Sequence, residues 1–91
     1  MNTLPARFTH PHAEVPTRAH PTDAGLDLAA SETTHIAPGV VTLVPTGIAV
    51  AIPEGHVGIL AARSSLAVKK AMTLANGVGI IDAGFRDEIK V

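Results

Sequence analysis

Three short segments of this 91-residue chain hold side chains whose types and spacing could do chemistry. In Asn76-Gly77-Val78-Gly79-Ile80-Ile81-Asp82-Ala83-Gly84-Phe85-Arg86-Asp87-Glu88, Asp82 follows an apolar Ile-Ile pair. A carboxylate held on such a rigid element can take a proton from water. Asn76-Gly77 signals a hairpin turn. A hairpin that offers backbone N–H and C=O groups beside an Asn amide could pair with the edge of a nucleobase. In Ala62-Arg63-Ser64-Ser65-Leu66-Ala67 an Arg and two hydroxyls open a helical turn. Free N–H groups and the positive dipole end gather there, and with Arg63 they would suit a phosphate. In Asp23-Ala24-Gly25-Leu26-Asp27-Leu28-Ala29-Ala30, Asp27 sits between apolar residues at strand period. Each segment also has a plain structural reading. Asp82 is then a solvent-facing turn residue, Ser64 an ordinary N-cap beside a surface Arg, and Asp27 a strand-edge acid closing a turn with Asp23.

The elements that must position these residues are short. Seven prolines and eight glycines punctuate runs rich in Val, Ile and Thr. The pattern predicts strands over 40–44, 48–52, 56–62, 73–75, 80–81 and 88–91, with the third buried on both faces near its middle. Turns are predicted at 45–47 and 53–55, the second with Pro fixing φ and Gly supplying φ > 0. Strands at such spacing imply an all-β sandwich or barrel. Residues 64–70 alone look helical, with Ser near the N-cap and Lys69 and Lys70 in the last turn. The first 22 residues, with four prolines, read as extended or irregular.

Composition narrows the function classes. Hydrophobic residues make up 46%, enough for one small globular core, whereas the 16% of charged residues and net charge of −1 exclude a charged disordered tail. A nucleic-acid binder should be clearly basic, and Tyr and Trp, the usual base-stacking residues, are absent. No cysteine is present, so disulfides, thiolate metal sites and cysteine nucleophiles are excluded. No apolar run resembles a signal peptide or a membrane span. The expectation is a soluble, intracellular, cytoplasmic protein with no nucleic-acid or membrane partner.

Together, in this order and spacing, the three segments resemble the trimeric dUTP diphosphatase (dUTPase) family. AGLDLAA looks like its first motif, ARSSLA its second and NGVGIIDAGFRDEI its third. The resemblance covers roughly residues 10–91. It implies an all-β, jelly-roll-like barrel of the β-clip type with one short helical turn after the second motif. It also implies a homotrimer whose active sites each draw on several subunits. The reaction implied is Mg²⁺-assisted hydrolysis of dUTP to dUMP and pyrophosphate. By position, Asp82 would orient and deprotonate the attacking water. Arg63, Ser64 and Ser65 would bind the phosphates. Asn76 and the backbone of Gly79, Ile80 and Ile81 would read uracil. Phe85 would lie under the deoxyribose and crowd out a ribose 2′-OH. Lys90 would contact substrate through its backbone, and Asp27 would act through water in the Mg²⁺ shell.

Phe85 stands where the family usually has Tyr, Asp87 where it usually has Gly, and Ser65 where Gly is common. At position 87 a positive φ, and hence strain, is expected. The family's fourth motif and its Gly-rich fifth motif have no counterpart in these residues. The alternating run at 88–91 stops with no turn after it, so residues 1–91 are expected to be one dUTPase-like domain incomplete at its C-terminus. Two other readings are carried. One is a dCTP deaminase of the same superfamily, which ARSSLA and Gly84-Phe85 resemble slightly better. The other is a non-catalytic dUTPase-like binding module.

Overall fold

The computed structural model describes residues 3–91. They form five short strands and one helix: β1 (Ala6–Phe8), β2 (Pro45–Val50), β3 (Gly58–Leu60), α1 (Ser64–Lys70), β4 (Gly79–Ile81) and β5 (Glu88–Lys90). The chain divides into two compact units, one of Ala6–Val50 with Arg86–Val91, the other of Ala51–Phe85 with the described N-terminal residues through Pro5.

The first unit is built on a three-stranded antiparallel sheet in the order β1-β2-β5. β2 is its centre. Ile48, Ala49 and Val50 are buried on it, with Ile89 of β5. Burying one such aliphatic side chain contributes about 1.5–3 kcal/mol. Thr46 is buried too, and its hydroxyl is fully used. It donates to Ile89 O at 2.6 Å and accepts from Ile48 N–H at 3.3 Å. The β2–β5 register shifts between Pro45 and Ala49. Gly47 lies in that irregular stretch at φ +71°, where an added Cβ would come within 2.6 Å of Ala13 Cβ. Only glycine fits there, for both reasons.

Residues 45–47 were expected to turn the chain, and instead they open β2. The reason is pairing: Thr46 and Gly47 are held between β1 and β5, and the conformational freedom of Gly47 serves a bulge. Residues 40–44 do not form the expected strand. Val40, Val41 and Leu43 are exposed, and only Val44 enters the ladder, exchanging bonds with Val91 at 2.7 and 2.9 Å. β1 lies in the stretch read as irregular. Only three residues of it pair, too few to show a period.

The second unit is a two-stranded antiparallel ribbon, β3-β4, with α1 between the strands. Gly58 pairs with Ile81, Ile59 with Ile80 and Leu60 with Gly79. One face sets each glycine against a bulky partner: a Cβ on Gly58 would lie 3.0 Å from Ile81 Cβ, and one on Gly79 would lie 3.3 Å from Leu60 Cβ. The other face presents Ile59 and Ile80, which are 66% and 60% exposed. The expected strand over 56–62 is therefore shorter and is not buried on both faces. Residues 73–75 do not form a strand. The turn at 53–55 forms, with His56 N–H donating to Pro53 O at 3.1 Å and Gly55 at φ +79°.

Helix α1 occupies the predicted residues, with Lys69 and Lys70 in its last turn and no side chain buried. The chain leaves it through Ala71, at φ 51° and ψ 38°, and Met72 N–H closes the end by donating to Leu66 O at 3.1 Å. Ala71 is the only non-glycine residue with positive φ among those described. Asp87, where strain was expected, does not have it. The architecture is mostly β with one short helix, and no closed barrel forms among the described residues.

Candidate active site

The second motif lies at the start of α1. Arg63, not Ser64, is the N-cap residue: its backbone is extended, at φ −66° and ψ 144°, and its side chain makes no capping bond. The carbonyl of Arg63 accepts from Leu66 N–H at 3.0 Å and from Ala67 N–H at 3.4 Å. Ser64 and Ser65 thus occupy the first two helical positions, where backbone N–H groups have no intrahelical acceptor. Arg63 and Ser64 are exposed and Ser65 is half-buried. The expected Ser cap is displaced by one residue, and Arg63, which takes the cap position, makes no side-chain capping bond.

The third motif enters and forms β4. Gly77 N–H donates to Leu74 O at 3.0 Å, and Val78 N–H then donates to Asn76 O at 2.9 Å. The second bond closes a γ-turn about Gly77, whose φ of +78° is the value such a turn needs. Asn76 is exposed at this point. The turn is not the two-residue hairpin predicted from Asn-Gly, because β4 pairs with β3, some twenty positions upstream, and not with residues 73–75. A short-range turn signal cannot reveal a partner separated from it by a helix.

β4 has β3 on one side and no strand on the other among the described residues. That unpaired edge presents backbone N–H and C=O groups of β4. Asp82 follows immediately and is exposed, and its carbonyl accepts from Phe85 N–H at 3.1 Å in a turn. Phe85 is partly exposed at the end of that turn. The antiparallel register fixes two ends of the ribbon. Leu60 pairs with Gly79, so Arg63 and Asn76 leave the same end. Asp82 leaves the other, about 10 Å away by the rise of a three-residue strand.

Asp27 and Lys90 belong to the first unit. Asp27 forms an isolated antiparallel bridge with Thr17, with bonds of 2.7 and 3.3 Å, and not the continuous strand its neighbours suggested. The bridge fixes its backbone and leaves the residue exposed. Asp23 does close a turn, accepting from His20 N–H at 3.0 Å through its carboxylate. Lys90 is exposed on β5 opposite Pro45. Among the described residues no group of three or more His, Cys, Asp or Glu could hold a metal ion. A single exposed carboxylate suits an ion that keeps its waters and leans on phosphates, the habit of Mg²⁺.

One carboxylate escaped the sequence reading. Glu88 Oε1 accepts from Thr9 Oγ1 at 2.7 Å, and Glu88 Oε2 is buried with no hydrogen-bond partner. The Thr9 hydroxyl holds the Glu88 carboxyl below its usual range, against an opposing effect of burial and aided by Gly47 N–H, Lys90 and His10. The two residues are 79 positions apart, so no local signal could have found the pair.

Comparison with known proteins agrees with these motifs. The family model for dUTPase matches residues 11–91. The deoxyuridine 5′-triphosphate nucleotidohydrolase of Nocardia farcinica is 50% identical over 91 residues, covering all of this chain and 55% of that protein. That of Corynebacterium jeikeium is 50% identical over 92 residues, covering 99% of this chain and 59% of that protein. The chain thus spans little more than half the length of these curated relatives. Among solved structures, a mutant of Staphylococcus bacteriophage 80alpha dUTPase with dUpNHpp superposes with a TM-score of 0.91 at 36% identity, covering 99% of this chain and 57% of that one. A mutant dUTPase of phage phi11 of S. aureus, described for its coordination of a structural Mg(II) ion, superposes with a TM-score of 0.87 at 38% identity over 98% of this chain and 57% of that one. The chain belongs to the dUTPase family, and its fold is the jelly-roll-like one of that family. No helix among the described residues is long and apolar enough to cross a membrane.

Proposed function

We propose that this chain carries the base-reading and water-activating part of a dUTP diphosphatase, which hydrolyses dUTP to dUMP and pyrophosphate. The observation that carries the reading is Asp82: an exposed carboxylate fixed directly after β4, beside a strand edge free to pair with a base. Asp82 takes the proton of the water that attacks the α-phosphorus. Arg63, Ser64 and Ser65 hold the phosphate chain. Asn76 and the backbone of Gly79, Ile80 and Ile81 pair with uracil. Phe85 supplies an apolar platform for the deoxyribose, without the hydroxyl a Tyr would add. Lys90 contacts the nucleotide through its backbone.

Mg²⁺ is part of this reading, with Asp27 holding a water of its shell. The ion, when bound, neutralises phosphate charge. A homotrimer is also part of it. Arg63 and Asp82 leave opposite ends of one ribbon, which supports a site assembled from more than one copy. Because the family match runs through both units, we read residues 1–91 as one dUTPase-like domain, with a cytoplasmic location.

The test is to supply dUTP and dCTP side by side. Pyrophosphate released from dUTP, with dCTP and dTTP turned over far more slowly, is the expected result. Ammonia released from dCTP would make the chain a deaminase. Nucleotide binding without turnover would make it a binding module.

A further inference from the structure

The chain contains two asparagines and no glutamine, and one of the asparagines precedes a glycine. We propose that the Asn76–Gly77 step is a self-modification site, at which the Asn76 amide converts spontaneously to a carboxylate. In this step the backbone nitrogen of Gly77 attacks Cγ of Asn76. The new N–Cγ bond forms as the Cγ–Nδ2 bond breaks, and ammonia leaves with the proton given up by the Gly77 nitrogen. Solvent water then opens the resulting five-membered imide at either carbonyl, giving an ordinary or a β-linked aspartate. No oxidant or reductant is involved.

Four features of the loop favour it. Asn76 is exposed, so water reaches both the amide and the imide. Among the described residues no hydrogen bond holds the Asn76 side chain, which is free to turn toward the backbone. Gly77 has no Cβ to shield its nitrogen, and no atom lies within 4 Å of where one would stand. The attacking N–H is tied down only by its bond to Leu74 O, at 3.0 Å in an exposed turn. Such a turn opens at little cost compared with the buried sheet. Asparagine is among the thermally labile residues for this reason.

The consequence rests on the proposed reading of Asn76. An amide both donates and accepts, and can face the mixed N–H and C=O edge of uracil. A carboxylate only accepts. It also brings a negative charge to a polyanionic ligand. Modified chains should therefore bind uracil nucleotides roughly 10–100-fold more weakly, the cost of one or two base-edge groups left unpaired. A bound nucleotide should in turn slow the conversion by holding the amide.

The test is peptide mapping by mass spectrometry of the whole chain incubated at alkaline and at mildly acidic pH, with the chain in denaturant as reference. Tryptic cleavage after Lys70 and Arg86 isolates residues 71–86, in which Asn76 is the only amide side chain. The expected result is base-accelerated splitting of this peptide into two isomeric acids, slowed several-fold by dUMP. Asn76→Gln, which leaves Gly77 untouched, should abolish it. A peptide that keeps its amide while the denatured chain converts fully would overturn the proposal. Equal conversion in Asn76→Gln would do the same. Nucleotide binding by Asn76→Asp is read separately. If the wild-type peptide converts but Asn76→Asp binds dUMP normally, the modification stands and the uracil-reading role of Asn76 fails.

Discussion

The β1-β2-β5 sheet and the β3-α1-β4 segment are packed very differently. The sheet holds Ile48 at 1% exposure, Thr46 at 2%, and Ala49, Val50 and Ile89 almost as deeply. In the other segment α1 buries nothing, and the facing pair Ile59–Ile80 is largely in solvent. Most of the residues assigned to chemistry lie on the second. The physical consequence is a division of labour. Burial and a saturated buried hydroxyl fix the sheet, whereas Arg63, Asn76 and Asp82 are held by backbone turns and a three-residue pairing, with their side chains left available. Elements that receive ligands are commonly drawn from the less stable part of a fold.

Substitutions in the two regions should therefore separate activity from stability. The largest effect is expected at Asp82. Asp82→Asn keeps the shape and removes the base, so dUTP hydrolysis should fall by about 10²–10⁴-fold. Its melting temperature should be unchanged, and a normal rate of pyrophosphate release would end the assignment. Ile48→Ala should cost about 2–5 kcal/mol in urea unfolding. Ile59→Ala, at an exposed position of similar chemistry, should stay within about 0.5 kcal/mol. Equal losses at the two positions would mean that the face carrying Ile59 is covered in solution. Thr46→Val removes one hydrogen bond from each of Ile48 N–H and Ile89 C=O, at a cost of about 1–3 kcal/mol.

Ala71→Gly should act in the opposite direction. The left-handed backbone at Ala71 costs a non-glycine residue about 1–2 kcal/mol, part of which glycine returns in chain entropy. A gain of about 0.5–1 kcal/mol in thermal unfolding is expected. The smallest effect concerns pH. The Glu88 carboxyl titrates below its usual 4.5 in the fold, first because of Thr9. The ionised form is thus favoured by folding. Its contribution is present above that pH and is lost as pH falls through the lower folded value. Thr9→Ala should flatten this acid limb of the stability curve, lowering stability at neutral pH and leaving the acid end, below the folded value, almost unaffected.

How much was legible in the sequence follows the same division. Helix α1 and the positions of β4 and β5 could be read from local signals, since capping, turn and strand patterns lie within a few residues of each other. The three motifs could be read because side-chain identity and order survive without coordinates. What could not be read was pairing. Residues 45–47 look like a turn until β1 and β5 close on either side. Asn76-Gly77 looks like a hairpin until β3 takes the partner's place. The Thr9–Glu88 bond and the strain at Ala71 depend on groups or dihedrals that no local pattern announces.

The central claim is that the exposed segment, and of the packed sheet only Lys90, receives the nucleotide. Backbone amide shift mapping of the chain during titration with dUMP, then with a non-hydrolysable dUTP analogue, tests it most directly. The account predicts that dUMP moves the resonances of residues 76–85, that the triphosphate adds 63–65, and that 45–50 stay still. Shifts confined to 45–50 and 88–90, or the same pattern with a cytosine nucleotide at equal strength, would contradict it.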